Sequence, residues 1–122
     1  MKKGLLLGCI CFLLVGCSSS PKEEKLYNDG DYIGVGAGMC GSIQVQVHIE
    51  ESKIQSIQLI KSSETHAYQQ EVEEKLIPKI IEKNSLEGVD EVTGATETSK
   101  GVLTGVNVAL GQAKINQGEQ NE

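Results

Sequence analysis

The sequence predicts a single small domain of the α+β class: a small antiparallel sheet with helices packed on one face. Three observations carry that prediction. Residues 41–50 alternate apolar and polar positions with a period of two, and residues 54–63 follow as a second strand after a turn. Residues 68–83 and 99–113 switch to helical spacing, and a cluster of glycines precedes the first alternating run.

The elements follow in order. "GDYIGVGAGMCG", Gly30 to Gly41, reads as a glycine-dense edge strand in which Gly34, Gly36 and Gly38 permit a bulge or the close approach of another group. A dinucleotide-binding glycine loop needs a helix after it, whereas here a strand follows. Gly41 to Glu50 places Ile43, Val45, Val47 and Ile49 on one face and Gln44, Gln46 and His48 on the other. Glu51-Ser52-Lys53 is a turn, and Ile54 to Ser63 supplies the second strand of a hairpin. Ser63 or Thr65 can cap the helical stretch that follows. From Tyr68 to Lys83, Val72, Leu76, Ile77, Ile80 and Ile81 recur at helical spacing, and Pro78 predicts a kink or a break into two short helices. Ser85 to Val92 returns to turn or extended conformation. In the last helix, Ser99 to Ala113, the residues Val102, Val106, Ala109, Leu110 and Ala113 form one apolar stripe.

The ends of the chain read as an address and a tail. Met1-Lys2-Lys3 is a basic n-region, and Leu5 to Val15 is an apolar run shorter than the about 20 residues that a spanning helix needs. The run closes on Leu14-Val15-Gly16-Cys17 followed by serines, a pattern that resembles a bacterial lipobox. It predicts a signal peptide over 1–16, lipidation of Cys17, a polar tether over 17–27, a domain over 28–114 and a flexible tail over 115–122. The expected location is the extracytoplasmic face of the cell membrane, reached through the lipid anchor.

Composition narrows the function. The chain has 11 lysines, no arginine and 17 acidic residues; without Lys2 and Lys3, nine lysines remain against those 17, a net charge of −8. That excludes nucleic-acid binding, which needs a basic face. It also leaves membrane attachment to acyl chains rather than to charge. Cleavage removes Cys9 and Cys11 and the lipid consumes Cys17. Cys40 then stands alone and reads as a small buried or half-buried residue, with no disulfide framework and no cysteine metal site. The two histidines, His48 and His66, have no acidic cluster at ligand spacing, so no metal is expected. Nothing resembles a nucleophile–histidine–acid set.

The stretch "DEVTGATETSKG", Asp90 to Gly101, admits two readings on its residues alone. One is a turn made by Gly94 and closed by Thr98 and Ser99 as N-caps of the last helix. The other is a phosphate site: small residues Gly94 and Ala95 leave room beside the Thr96 hydroxyl, and a helix N-terminus offers free N–H donors.

This stretch resembles the flavinylation motif of the FMN-binding domain family: Asp, two variable residues, Ser or Thr, Gly, Ala, Thr, then one residue and Thr-Ser. The resemblance extends from Asn28 to Lys114, through Asp-Gly, Tyr, the spaced glycines, the alternating strand, the hairpin, Glu-Thr and the closing helices. It implies that Thr96 bears FMN through a phosphoester bond made by a separate flavin transferase from FAD with Mg2+. Asp90, Thr93, Gly94 and Ala95 would then be read by the transferase and shape the bend, while Thr98 and Ser99 line the phosphate or cap the helix. Gly36, Gly38 and Gly41 would let the flavin lie against the first strand. Two departures stand out: Glu97 replaces a commonly apolar residue, and "GMCGS" replaces an aromatic-containing turn, leaving Tyr27, Tyr32 and Tyr68 to meet the ring. The family includes a subunit of the sodium-translocating NADH:quinone reductase and lipoproteins of extracellular electron transfer. It therefore implies an electron carrier rather than an enzyme with its own substrate, fed by a membrane redox donor such as a quinone-linked dehydrogenase. The alternatives are a non-flavinylated binding or regulatory lipoprotein of the same fold and a cofactor module serving a separate reductase.

Overall fold

The computed structural model describes residues 26–115. The signal segment 1–16, the lipidation site Cys17, the tether as far as residue 25 and the tail from residue 116 lie outside the described residues.

Three antiparallel strands stand in the order β1 (Gly30–Ala37), β2 (Ser42–Glu50) and β3 (Lys53–Lys61). In the central strand the alternation resolves as expected: Ile43, Val45, Val47 and Ile49 are completely buried, while Gln44, Gln46 and His48 face away from the helices. Each such aliphatic side chain contributes about 1.5–3 kcal/mol on leaving water, so a one-residue slip of β2 would forfeit the core. The β2–β3 turn has positive φ at Glu51 (53°) and Ser52 (63°), the left-handed pair that matches hairpin twist. Neither residue is glycine, and hydrogen bonds support the conformation instead. The Ser52 hydroxyl accepts the N–H groups of Leu26 (2.7 Å) and Tyr27 (2.9 Å), and Ser52 N–H donates to Asp29 Oδ1 at 3.1 Å.

The break at Pro78 takes the form of two helices, α1 (His66–Lys75) and α2 (Ile77–Lys83), with the proline in the first turn of α2 where its missing N–H costs nothing. Leu76 at the junction is fully buried with Val72 and Ile80. Helix α1 has Thr65 at its N-cap position but no side-chain cap. Asn84 ends α2 in the left-handed conformation (φ 53°), and its side chain ties that end to the hairpin: Oδ1 accepts Ile54 N–H at 2.7 Å and Nδ2 donates to the Ser52 carbonyl at 3.2 Å.

Helix α3 (Thr96–Ala113) lies along β1 and β2, with Val102, Val106, Ala109, Leu110 and Ala113 buried against the sheet. The group that approaches the β1 glycines is this helix. A Cβ at Gly34 would overlap the Gly105 carbonyl oxygen and one at Gly36 the Gly101 carbonyl oxygen. The far end of α3 closes the domain: Asn28 N–H donates to the Ala113 carbonyl at 2.8 Å, and Tyr27 pairs with Lys114. Tyr27, read above as tether, is 5% exposed and part of the core. Cys40 also differs from expectation. It is exposed, because the 38–41 connection between β1 and β2 projects it outward. No helix among the described residues is long and apolar enough to cross a membrane.

Candidate functional site

The motif forms a tight bend that runs into α3. Ala95 N–H donates to the Val92 carbonyl at 3.0 Å, closing a four-residue turn whose third residue, Gly94, has φ 92°. That position in a type II turn favours glycine, and nothing lies within 4 Å of where a Gly94 Cβ would stand. The helix begins at Thr96, three residues before the predicted start, with buried Ala95 as its N-cap residue.

This shift changes what Thr98 and Ser99 do. Both lie inside the first turns of α3, almost wholly buried, and no side chain caps the helix. The capping role read from the sequence is therefore corrected. Ser99 O–H donates to the Ala95 carbonyl at 2.7 Å and its oxygen accepts Val92 N–H at 3.0 Å, stapling both ends of the bend. Thr98 O–H points the other way and donates to Glu64 Oε1 at 2.6 Å.

With its two hydroxyl neighbours turned inward, Thr96 remains exposed. It borders a groove of about 220 Å³ walled by Met39, Tyr68 and residues 94–98. The first helical amide to reach a backbone acceptor is Ser99 N–H, on the Ala95 carbonyl at 2.9 Å. The amides ahead of it open the positive end of an 18-residue helix toward this space. An exposed hydroxyl, uncapped N–H donors and an adjoining groove fit a phosphate-linked group on Thr96. Glu97 adds a negative charge there, but its carboxylate is exposed and sits 3.5 Å from Lys100 Nζ. Asp90 and Thr93 are exposed and lie outside the groove wall, on the surface of the approach.

The expected contact of a flavin with the first strand is not what the glycines provide. Gly36 is filled by α3, and a Cβ at Gly38 would lie 2.7 Å from Glu64 Oε1; only Gly41 faces open space. Of the three tyrosines, Tyr68 alone is in the groove wall. Tyr27 is buried at the far pole, where its O–H donates to the Asn84 carbonyl at 3.3 Å, and Tyr32 O–H donates to the Asn28 carbonyl at 2.9 Å.

Sequence reasoning assigned no role to Glu64 beyond its place in the Glu-Thr pair, nor to Met39. Glu64 is 8% exposed, and its carboxylate takes three donors: Met39 N–H (2.9 Å), Cys40 N–H (2.6 Å) and Thr98 O–H. Burial works to raise its pKa, but the hydrogen bonds from Thr98, Cys40 and Met39 outweigh it and hold the carboxyl below the ordinary glutamate range. The available signal was a lone acid between a strand and a helix, but its partners lie 24–34 residues away.

On the opposite sheet face, His48 Nδ1 lies 2.6 Å from Asp31 and Nε2 3.2 Å from Glu50. Hydrogen bonding to Asp31 and then to Glu50 raises the His48 pKa, and the same pairing lowers that of Asp31. No group of three or more His, Cys, Asp or Glu side chains among the described residues is arranged to hold a metal ion.

A model of the FMN-binding domain matches residues 38–111, more than half of the chain, including the 38–41 turn, Glu64 and Thr96. The chain is also 32% identical over 84 residues to the NADH:acrylate oxidoreductase of Vibrio harveyi; the match covers 69% of this chain and 8% of that protein. The chain thus spans a small part of that relative, one domain's worth. It belongs to the FMN-binding domain family, and is a flavoprotein domain that binds FMN.

Proposed function

We propose that this protein is a lipid-anchored, extracytoplasmic electron carrier whose FMN is bound covalently to Thr96 through a phosphoester. The observation that carries the reading is the isolation of the Thr96 hydroxyl. Of the three hydroxyl residues in 96–99, Thr98 and Ser99 are buried with their hydroxyls in internal hydrogen bonds, and Thr96 is the exposed one, at the border of the groove. When bound, the flavin supplies the redox chemistry, and the chain supplies attachment and surroundings. Met39 and Tyr68 would border the ring. The uncapped amides at the start of α3 would face the phosphate. The exposed Asp90, Thr93 and Gly94, with the buried Ala95 behind them, form the bend that a flavin transferase would read.

The anchoring reading rests on the sequence around Cys17 and is consistent with the fold. Residues 26–28 pair with the C-terminal end of α3, whereas Thr96 opens its N-terminal end. Eighteen residues at 1.5 Å each separate the two poles by about 27 Å. A lipid on Cys17 would thus leave Thr96 at the pole away from the tether. Electrons would come from a membrane redox partner, such as a quinone-linked dehydrogenase, and pass to an extracytoplasmic acceptor.

The match to a domain of an NADH:acrylate oxidoreductase favours a second reading, in which the chain is a detached cofactor module serving a separate reductase of a small organic acceptor such as an enoate. A stable complex with a flavoenzyme subunit would distinguish it from a free carrier.

The test is intact mass and peptide mapping after reaction with a flavin transferase, FAD and Mg2+. An FMN adduct on the Thr96 peptide, with AMP released and no adduct in Thr96→Ala, is the expected result. An unlabelled chain beside a labelled acceptor domain would overturn the covalent carrier and leave a non-flavinylated binding or regulatory lipoprotein. Thioether lipid on the Cys17 peptide, lost in Cys17→Ala, tests the anchor.

A further inference from the structure

We propose that Glu64 is the positioning residue of the cofactor groove: its carboxylate fastens the 38–41 turn to the first turn of α3, so that Met39 and Thr96 face the same space. The inference rests on the reading that Thr96 carries the flavin.

Met39 and Thr98 both belong to the groove wall, yet they come from segments far apart in the chain. Glu64 joins them from behind the wall. Its Oε1 accepts both Met39 N–H and Thr98 O–H, while Oε2 accepts Cys40 N–H. The residue is itself oriented locally, since Glu64 N–H donates to Ser62 Oγ at 3.1 Å. Within the turn, one backbone bond, Gly38 N–H to the Gly41 carbonyl at 2.8 Å, closes the loop. Among the described residues, the other hydrogen bonds that orient residues 39 and 40 end on the Glu64 carboxylate. Room for that carboxylate depends on Gly38, where a Cβ would also press to 2.6 Å from Ile43 Cδ1. Met39 is 62% exposed, so packing holds it only loosely. Its position beside Thr96 comes from the backbone, and the backbone is held by Glu64.

The clasp also has an electrostatic consequence. No cation pairs with Glu64 among the described residues; its charge is stabilised by three N–H and O–H donors in a nearly dry setting. A negative charge so placed opposes the addition of electrons to a group held in the adjoining groove. Gln at this position keeps the size but removes the charge, and it presents an N–H donor to at least one of the three donors now bound. Thr98→Val removes one donor and keeps the charge, and Thr98→Ser keeps both.

The experiment compares the full chain with Glu64→Gln, Thr98→Val and Thr98→Ser. It measures the rate of FMN attachment with flavin transferase and FAD, and the midpoint potential of the labelled fraction. We expect Thr98→Ser to label at the wild-type rate, and Thr98→Val and Glu64→Gln to label about tenfold slower or worse through misplacement of the wall beside Thr96. The potential should rise in Glu64→Gln and stay near the wild-type value in Thr98→Val. If Glu64→Gln does not fold by circular dichroism, the Thr98 pair carries the rate test. Wild-type rates in Thr98→Val, or an unchanged potential in a folded Glu64→Gln, would overturn the proposal. An unlabelled wild type beside a labelled acceptor domain would overturn the covalent reading of Thr96 and the positioning role with it. The wild-type sample therefore separates the two failures.

Discussion

The Thr98 hydroxyl donates a 2.6 Å hydrogen bond to the Glu64 carboxylate, a buried contact between residues 34 apart in sequence. It joins the first turn of α3 to the connection that leaves the sheet. The same carboxylate holds the turn between β1 and β2, so three segments converge on one ionised group.

Because those hydrogen bonds lower the Glu64 pKa below its ordinary value of 4.5, the contact makes stability depend on acid. The folded state binds the proton less readily than the unfolded chain does. The stabilisation is thus complete above the unfolded value and is lost as pH falls through the folded one. Urea midpoints measured from pH 7 to pH 3 should fall below about pH 4.5 more steeply in the wild type than in Glu64→Gln. Parallel curves would show that the clasp adds nothing to stability.

Gly34 and Gly36 of β1 should respond to alanine in the direction opposite to Gly111 of α3. Gly34→Ala and Gly36→Ala force a methyl group into the Gly105 and Gly101 carbonyls, and overpacking against backbone should cost about 3 kcal/mol each. Gly111 is helical with open space around it, so Gly111→Ala should stabilise by about 0.5–1 kcal/mol. Thermal and urea unfolding check both signs. A tolerated Gly34→Ala would mean that α3 can stand off the sheet.

Ser99→Ala removes a hydroxyl that both donates and accepts, leaving Val92 N–H unpaired at the base of the motif bend. The expected loss is about 1–3 kcal/mol. Faster amide exchange at Val92 and Ala95 should accompany it. Thr96→Ala, at an exposed position, should stay within about 0.5 kcal/mol of the wild type. The pair separates residues that build the bend from the one that it presents.

His48 should titrate above the ordinary histidine value of 6.5, and Asp31→Asn should bring it down. A raised folded pKa stabilises below the unfolded value and is lost as pH rises through the folded one. Because the cluster is exposed, added salt should shrink the shift. Proton NMR of the imidazole over pH 5–9, at low and high ionic strength, checks it. A normal titration would mean that the ion pairs do not persist in solution.

The sequence by itself determined the α+β class, the buried face of β2, the break at Pro78 and the apolar stripe of α3. Each is a local pattern: a period of two for Ile43 to Ile49, a period near 3.6 for Val102 to Ala113, and a proline that cannot continue a helix. The turn at Gly94 was legible for the same reason, since the four adjacent residues Val92 to Ala95 make the bend. Only the tertiary structure decided what the other hydroxyls do. Thr98 and Ser99 have the chemistry of caps, but the helix starts at Thr96, so packing turns both inward to Glu64 and to the bend. Likewise, the spacing of Gly34 and Gly36 announces a close approach without naming the visitor, which is the α3 backbone at Gly101 and Gly105. Glu64 was the least legible residue of all. A buried carboxylate is tolerated only where donors converge on it, and its donors come from residues 39, 40 and 98, which no local period connects.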